Sequence, residues 1–298
     1  MTYFFTAEQL CLFGLSCDVW DSRADAKASG LSYNEETITE RMLLDLRRRW
    51  PGSVTIQPFS KAEEAKNGAD WAWTFVSSDG SVSQSMLVQA KRLDNREVDY
   101  AGVKRLAGKP KPPAFAPVPH QIDQLITNAA RLNMPPLYAF YNHLSDSSRV
   151  PVNCRSMTIA NLTEVRSWGI TLASAHEVKA LMPDEQFDNH RVHSKPLHCL
   201  LCSGGTGLRR DGGSAAAANA GIAQLVSGII EDVDDRSSPT ALGFNQGLLP
   251  MFELAERIAA DGSSELGEGH AGLAKEFPGV AGAVIFRDHK DGRDIPFK

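Results

Sequence analysis

The stretch from Asp70 to Lys91 leaves the chain little freedom. Trp71-Ala72-Trp73-Thr74-Phe75-Val76 and Met86-Leu87-Val88-Gln89-Ala90-Lys91 are apolar runs on either side of a turn at Ser77-Ser78-Asp79-Gly80. Asp-Gly between such runs is a strong hairpin signal, so two paired strands are predicted. Strand alternation sends Gln89 and Lys91 to one face and Val88 and Ala90 to the other. Asp70 opens the first strand. Pairing would therefore bring a carboxylate, an amide oxygen and an ammonium to one end of two strands. The plain alternative is that Lys91 snorkels to solvent and Asp70 caps its strand, since Lys is rarely buried without a partner.

The elements before the hairpin read as helices and one strand. Residues 7 to 29 are loosely helical, with Leu10, Leu12, Phe13 and Leu15 as the apolar part, and Ser22 to Ser32 reads as a polar linker. Asn34 is a good N-cap for a helix running to Trp50, with acids in its first turn. Ile38, Met42, Leu43, Leu46 and Trp50 share one face at helical spacing. Glu36 stands seven residues before Leu43 and is taken to the edge of that face. Glu40 reads as solvated, as do Arg47, Arg48 and Arg49. Val54 to Phe59 is a short strand, and Lys61 to Lys66 a loop or one helical turn.

After the hairpin comes a basic stretch. Residues 91 to 111 hold seven basic and three acidic groups, in a chain whose net charge is -5. Such a stretch suits a phosphate backbone or is simply a solvated loop. Lys109 to Pro119 is Pro-rich and extended. His120 to Leu132 is an amphipathic helix with Ile122, Leu125, Ile126 and Ala129 inward, and Leu137 to Tyr141 is an apolar strand.

The order is now Glu on a helix, a strand, Asp at a strand start, and Gln-x-Lys on the paired strand. It resembles the PD-(D/E)XK nuclease superfamily, in the branch with Gln in place of the second acid, as in Mrr-like restriction endonucleases. Glu36-x-Ile38-x-x-x-Met42-Leu43 is similar to that family's first helix. Gly68-Ala69-Asp70 and Val88-Gln89-Ala90-Lys91 are similar to its metal-binding strands. The match spans about Asn34 to His143.

The resemblance implies an α/β fold: a restriction-endonuclease-like core in which helices flank a central mixed sheet, with additional C-terminal helices and strands. It implies a nuclease core at 1–150 and an extension at 151–298 packed on it, with a partner or sensing role open. It implies hydrolysis of DNA phosphodiester bonds with Mg²⁺ or Mn²⁺, in a setting of bacterial defence. Asp70 would be the direct metal ligand, with the Ala90 carbonyl and the Gln89 amide oxygen beside it. Glu36 would orient a water, and Lys91 would stabilise the charge developing on phosphate. Arg92, Lys104, Arg105 and Gln121 are the candidate nucleic-acid contacts. A homo-oligomer or a defence-system partner is compatible with this reading.

Two other readings stay open. One is a catalytically weak or inactive nucleic-acid-binding module of a larger complex. The other is a ligand-gated effector nuclease, motivated by the less legible second half. There Met157 to Ala160 suggests a strand, Ser174 to Leu181 a helix and Leu197 to Cys202 a strand. Segments 222–230 and 248–260 suggest helices, and Val280 to Phe286 a last strand. His193, His198, Cys199 and Cys202 carry zinc-ligand chemistry, but Cys-x-x-Cys in an apolar run more often marks buried thiols. Gly204-Gly205-Thr206-Gly207 lacks the Gly-Lys-Ser/Thr of a phosphate loop.

No apolar run nears the roughly 20 residues of a membrane span. Five cysteines at irregular spacing and no basic, apolar leader point to a reducing cytoplasm.

Overall fold

A computed structural model describes residues 7–50, 54–58, 69–76, 83–106, 119–151, 164–201 and 282–287. The turn at 77–80, the segments 61–66, 109–118 and 157–160, Cys202, the Gly-rich stretch after it and the helices expected at 222–230 and 248–260 lie outside these residues.

The chain opens with α1 (Ala7–Ala28) and α2 (Glu35–Arg49). It continues through β1 (Val54–Pro58), β2 (Trp71–Val76) and β3 (Ser83–Arg92). Then follow α3 (Gln121–Arg131), β4 (Pro136–Tyr141), β5 (Ile170–Ser174) and α4 (Ala175–Ala180). The short α5 (Phe187–His190), β6 (Lys195–Pro196) and β7 (Gly282–Arg287) complete the described set.

The strands form one seven-stranded mixed sheet in the order β1-β7-β2-β3-β4-β5-β6. β2 and β3 are antiparallel, and β3 and β4 are parallel. Strands β5, β6 and β7, all from beyond residue 150, belong to this same sheet.

Alternation divides the sheet's side chains between two layers. Trp73, Phe75, Met86, Val88, Ala90, Leu137, Ala139 and Tyr141 pack with α1 and α2. Ala72, Val76, Leu87, Tyr138 and Phe140 pack with Ile122, Leu125 and Ala129 of α3. The result is an α/β fold with helices on both faces of a mixed sheet, the coarse architecture that the resemblance implies. Among the described residues no helix is long and apolar enough to cross a membrane.

Two elements differ from their sequence expectation. α1 runs on to Ala28 through the expected linker. One polar residue there is not solvated: Arg23 is buried and donates to the Leu93 carbonyl at 2.7 Å. Gly169 lets α1 sit directly on the 3-10 turn before β5, because a Cβ there would lie 1.8 Å from the Ser16 carbonyl oxygen. Leu197–Leu201 is a 3-10 turn rather than a strand. There His198 is buried against the Phe13 ring, with the Cys199 Sγ 3.8 Å from its Nε2.

Asn142 closes the end of β4. Its side chain, fully buried, donates to the Trp168 carbonyl at 2.9 Å and the Thr171 hydroxyl at 3.1 Å, and accepts from the Tyr100 hydroxyl at 2.7 Å. Asn142→Ala strands several of these groups and should lower unfolding stability by about 2 kcal/mol or more in urea. Tyr100→Phe should cost about 1 kcal/mol, and the double variant should fall short of the sum because one bond is shared.

Candidate active site

The site forms where β2 stops and β3 continues. The last β2–β3 pair is Trp71 with Val88. Among the described residues, β3 pairs from Gln89 to Arg92 with β4 alone. The backbone groups on the vacated side therefore need other partners. Asp70 supplies one. Its N–H donates to the Val88 carbonyl at 2.9 Å, and its Oδ2 accepts from the Ala90 N–H at 2.7 Å. The same Oδ2 accepts from the Gln89 amide Nε2, also at 2.7 Å. Nε2 reaches the Ala90 carbonyl at 3.3 Å as well.

Two buried polar atoms beside this carboxylate are left over. The Gln89 Oε1 has no hydrogen-bond partner among the described residues, and neither has the Tyr138 hydroxyl. Gln89 and Tyr138 are register partners across β3 and β4, so their side chains share one face. Buried polar groups are almost always satisfied, and an orphan acceptor beside a carboxylate is suited to a cation or an ordered water.

Lys91 projects from that face with only 3% of its surface exposed. Its ammonium has one long hydrogen bond, 3.4 Å to the Gln121 Oε1, and the Glu35 carboxylate at 3.8 Å. Three donors on a buried charge are thus weakly used. The snorkelling alternative does not describe this side chain. Gln121 is the first residue of α3, so the positive end of that helix also faces the cluster. Asp123 holds this helix start by accepting from the His120 N–H at 3.2 Å.

The helical carboxylate at Lys91 is Glu35, not the expected Glu36, which is exposed. The buried face of α2 is Ile38, Thr39, Met42, Leu43 and Leu46. Glu35 precedes Ile38, Thr39, Met42 and Leu46 by three, four, seven and eleven residues, the spacing of a shared face. Glu36 lies about 100° further round. Spacing from Leu43 alone misled; spacing from the whole face would have found Glu35. Thr39 anchors this turn, donating to the Glu35 carbonyl at 2.9 Å and hydrogen-bonded to the Tyr141 hydroxyl of β4 at 2.7 Å.

The remaining expected contacts are spread more widely. Arg92 is partly exposed and donates to the Asn95 side chain at 3.1 Å. Lys104 is exposed and paired with Glu185 at 2.9 Å, and Arg105 is exposed. Among the described residues no three His, Cys, Asp or Glu side chains gather as a metal cluster. A cation here would rely on Asp70, the Gln89 amide oxygen and the Ala90 carbonyl. Mg²⁺ sites often have such a sparse protein set, one or two carboxylates with waters retained. The orphaned Gln89 Oε1 fits that donor set.

Burial pushes the Asp70 carboxyl up to about 6 from its ordinary 3.8; Lys91 and the Ala90 N–H oppose the rise, and Glu35 adds to it.

The fold and site thus define a helix-flanked mixed-sheet protein with a polar cluster at a strand divergence. The chain belongs to the family described as a family of unknown function, DUF6615, whose model matches residues 9–288. No curated protein and no solved structure matches it.

The Asp70 shift predicts a signed pH effect. Between its unfolded value near 3.8 and its folded value of about 6, the folded chain holds a proton that the unfolded chain has lost. Asp70 therefore supports stability at low pH, and this support is lost as pH rises from about 4 through about 6. Asp70→Asn should be more stable than the parent at pH 7, by at most about 3 kcal/mol, with the gap closing below pH 4. An Mg²⁺ ion held by Asp70 would stabilise the parent at pH 7.5 but neither the parent at pH 4.5 nor the variant. Urea unfolding across pH, with and without the ion, reads all three.

Proposed function

We propose that this protein is a nuclease that hydrolyses DNA phosphodiester bonds with Mg²⁺ or Mn²⁺. The observation that supports it most is the pairing of an orphaned buried Gln89 oxygen with Asp70, beside a buried and weakly satisfied Lys91. A fold selected only for packing would not keep these groups unpaired, because each costs stability. The PD-(D/E)XK-like order of motifs agrees with it.

Asp70 and the Gln89 Oε1 would hold the ion, with the Ala90 carbonyl opening to the same side of β3. When bound, the ion supplies positive charge and an activated water. Lys91 would face the phosphate and stabilise its developing negative charge in a water-poor setting. Glu35 would orient Lys91 and a water. Gln121 would keep the ammonium aimed, and the α3 N-terminus would favour the anion. A role in bacterial defence, a cytoplasmic setting and assembly with itself or a defence-system partner follow from the resemblance and belong to this proposal.

The sparse carboxylate set favours a second reading, a nucleic-acid-binding module with weak or no catalysis. The two are separated by incubating purified protein with plasmid DNA and Mg²⁺ or Mn²⁺, with and without EDTA. Cleavage that EDTA abolishes is expected. Binding without cleavage under either ion would favour the module. Asp70→Ala should abolish cleavage, and Lys91→Ala should lower its rate about 10²-fold or more. Glu35→Gln should lose most activity while Glu36→Gln stays near the parent. The opposite ranking of these two would remove Glu35 from the site.

Gln89→Glu provides a sharper test. The glutamate cannot donate to Asp70 as the amide does, and two carboxylates at that separation repel. Without ion the variant should be less stable than the parent. With ion it should recover, and it should need less Mg²⁺ for half-maximal rate. Unchanged metal dependence would mean that Gln89 only bridges the strands.

A further inference from the structure

We propose that the cleft between the second half of α1 and the end of β3 is a second phosphate-binding site, with Arg23 and Arg92 as its cationic ligands. Arg23, Lys27, Tyr33, Arg92, Asn95 and His143 line this cleft, together with Asp94 and Glu97.

The two guanidinium groups are underused. Arg23 is 7% exposed; its Nη2 donates to the Leu93 carbonyl and its Nε has no partner among the described residues. Among the described residues Arg92 donates to the Asn95 side-chain oxygen alone. Among the described residues no carboxylate lies within ion-pair distance of either.

The two acids of the cleft are committed elsewhere. Asp94 accepts from the Arg96 guanidinium at 2.7 Å and from the Val98 and Asp99 N–H groups. Glu97 accepts from Lys27 and from the Ser145 N–H and hydroxyl, at 2.8 and 2.7 Å. Arg23 and Arg92 therefore line one cleft, and among the described residues neither guanidinium is paired with a carboxylate. Burial first, and then the Arg92 charge, lower the Arg23 pKa to about 10, against Tyr100, Glu97 and Asp94, which raise it.

A phosphoryl group answers this arrangement. Its several oxygens match guanidinium forks, which are poorly hydrated and hold phosphate bidentately. Arg23 is also fixed in place: its helix is packed on Gly169, where no side chain could be accommodated.

The cleft adjoins the candidate active site at two points. Arg92 follows Lys91 on β3, and Tyr33 stands two residues before Glu35. Strand alternation sends the Lys91 and Arg92 side chains to opposite faces, so a nucleic-acid strand held at Lys91 would pass round the end of β3 for another of its phosphates to reach this cleft. That the phosphate belongs to a strand rests on the nuclease reading; the anion site itself does not.

The test uses full-length Asp70→Ala protein in EDTA, so cleavage plays no part. Inorganic phosphate is titrated against sodium chloride of matched ionic strength, followed by calorimetry and thermal unfolding. Phosphate should bind and stabilise beyond chloride, and Arg92→Gln should weaken it about tenfold, the loss of one charge-assisted contact. Arg131→Gln, exposed at the end of α3 and outside the cleft lining, should bind as the parent does. Arg23→Lys keeps the charge, removes the fork and should also weaken binding, which covers the case in which Arg92→Gln fails to fold. A second arm uses labelled oligonucleotides with and without a 5′-phosphate. Equal loss in Arg92→Gln for both assigns the site to an internal phosphodiester; loss confined to the phosphorylated form assigns it to a strand end. Phosphate no better than chloride, or both arginine variants binding like the parent, would overturn the proposal. Loss of metal-dependent cleavage in the native chain would instead strike the nuclease reading, leaving the phosphate result standing.

Discussion

Lys91 places a full positive charge on the inner face of a sheet and satisfies it with a 3.4 Å amide contact and a carboxylate at 3.8 Å. Moving an ammonium out of water is costly unless good partners replace its hydration. Neither partner here is close, so the charge must be held by everything around it. β3 outruns β2, which opens space beside Lys91. α2 directs Glu35 at it, α3 directs Gln121 and its own positive end, and Asp70 turns in from the start of β2. The arrangement works only if these elements cannot drift apart.

Several buried polar contacts prevent that drift. The Thr39–Tyr141 hydrogen bond fastens the first turn of α2 to β4, the strand that pairs with Lys91. Asn142 ties the end of β4 to Tyr100 and to the turn before β5. The close seat of α1 on Gly169 fixes the helix that carries Arg23. Each contact joins elements that are distant in sequence. Such networks favour one arrangement because a partly satisfied alternative leaves buried polar groups unpaired. Rigidity is what a site needs when it must hold poorly satisfied charges in place.

The local pattern made much of this legible. Alternation alone put Gln89 and Lys91 on one face, and the apolar runs marked the strands and α3. The helix acid was missed by one position because the reading leaned on Leu43 rather than on the full face of α2. Residues 22 to 28 looked like a linker because polar residues in sequence do not reveal a tertiary partner. Arg23 is buried only because Leu93, distant in sequence, offers a carbonyl. Leu197–Leu201 looked like a strand because a short apolar run does not distinguish strand from buried turn. The insertion of β7 between β1 and β2 had no local signal at all. Nor could the sequence reveal that Tyr138 and the Gln89 oxygen would both lack partners among the described residues, since that depends on what all the neighbours do at once.

Gln89 is the residue at which the site departs from an acid-x-Lys pattern, and the geometry suggests why an amide serves there. With Asp70 and Glu35 ionised and Lys91 charged, the cluster carries one net negative charge. On the nuclease reading a divalent ion would reverse that to one positive charge, matched to a phosphodiester's single negative one. A second acid at position 89 would leave the ion-bound site neutral and would give a phosphodiester less attraction. It would also raise the Asp70 pKa further while no ion is bound, since a like charge disfavours ionisation. The amide avoids both effects. Its nitrogen donates to Asp70 and holds that carboxylate in position before any ion arrives, while its oxygen stays unpartnered. On the nuclease reading one side chain would thus pre-organise the metal ligand and remain a ligand itself, which a carboxylate, having no donor when ionised, could not do.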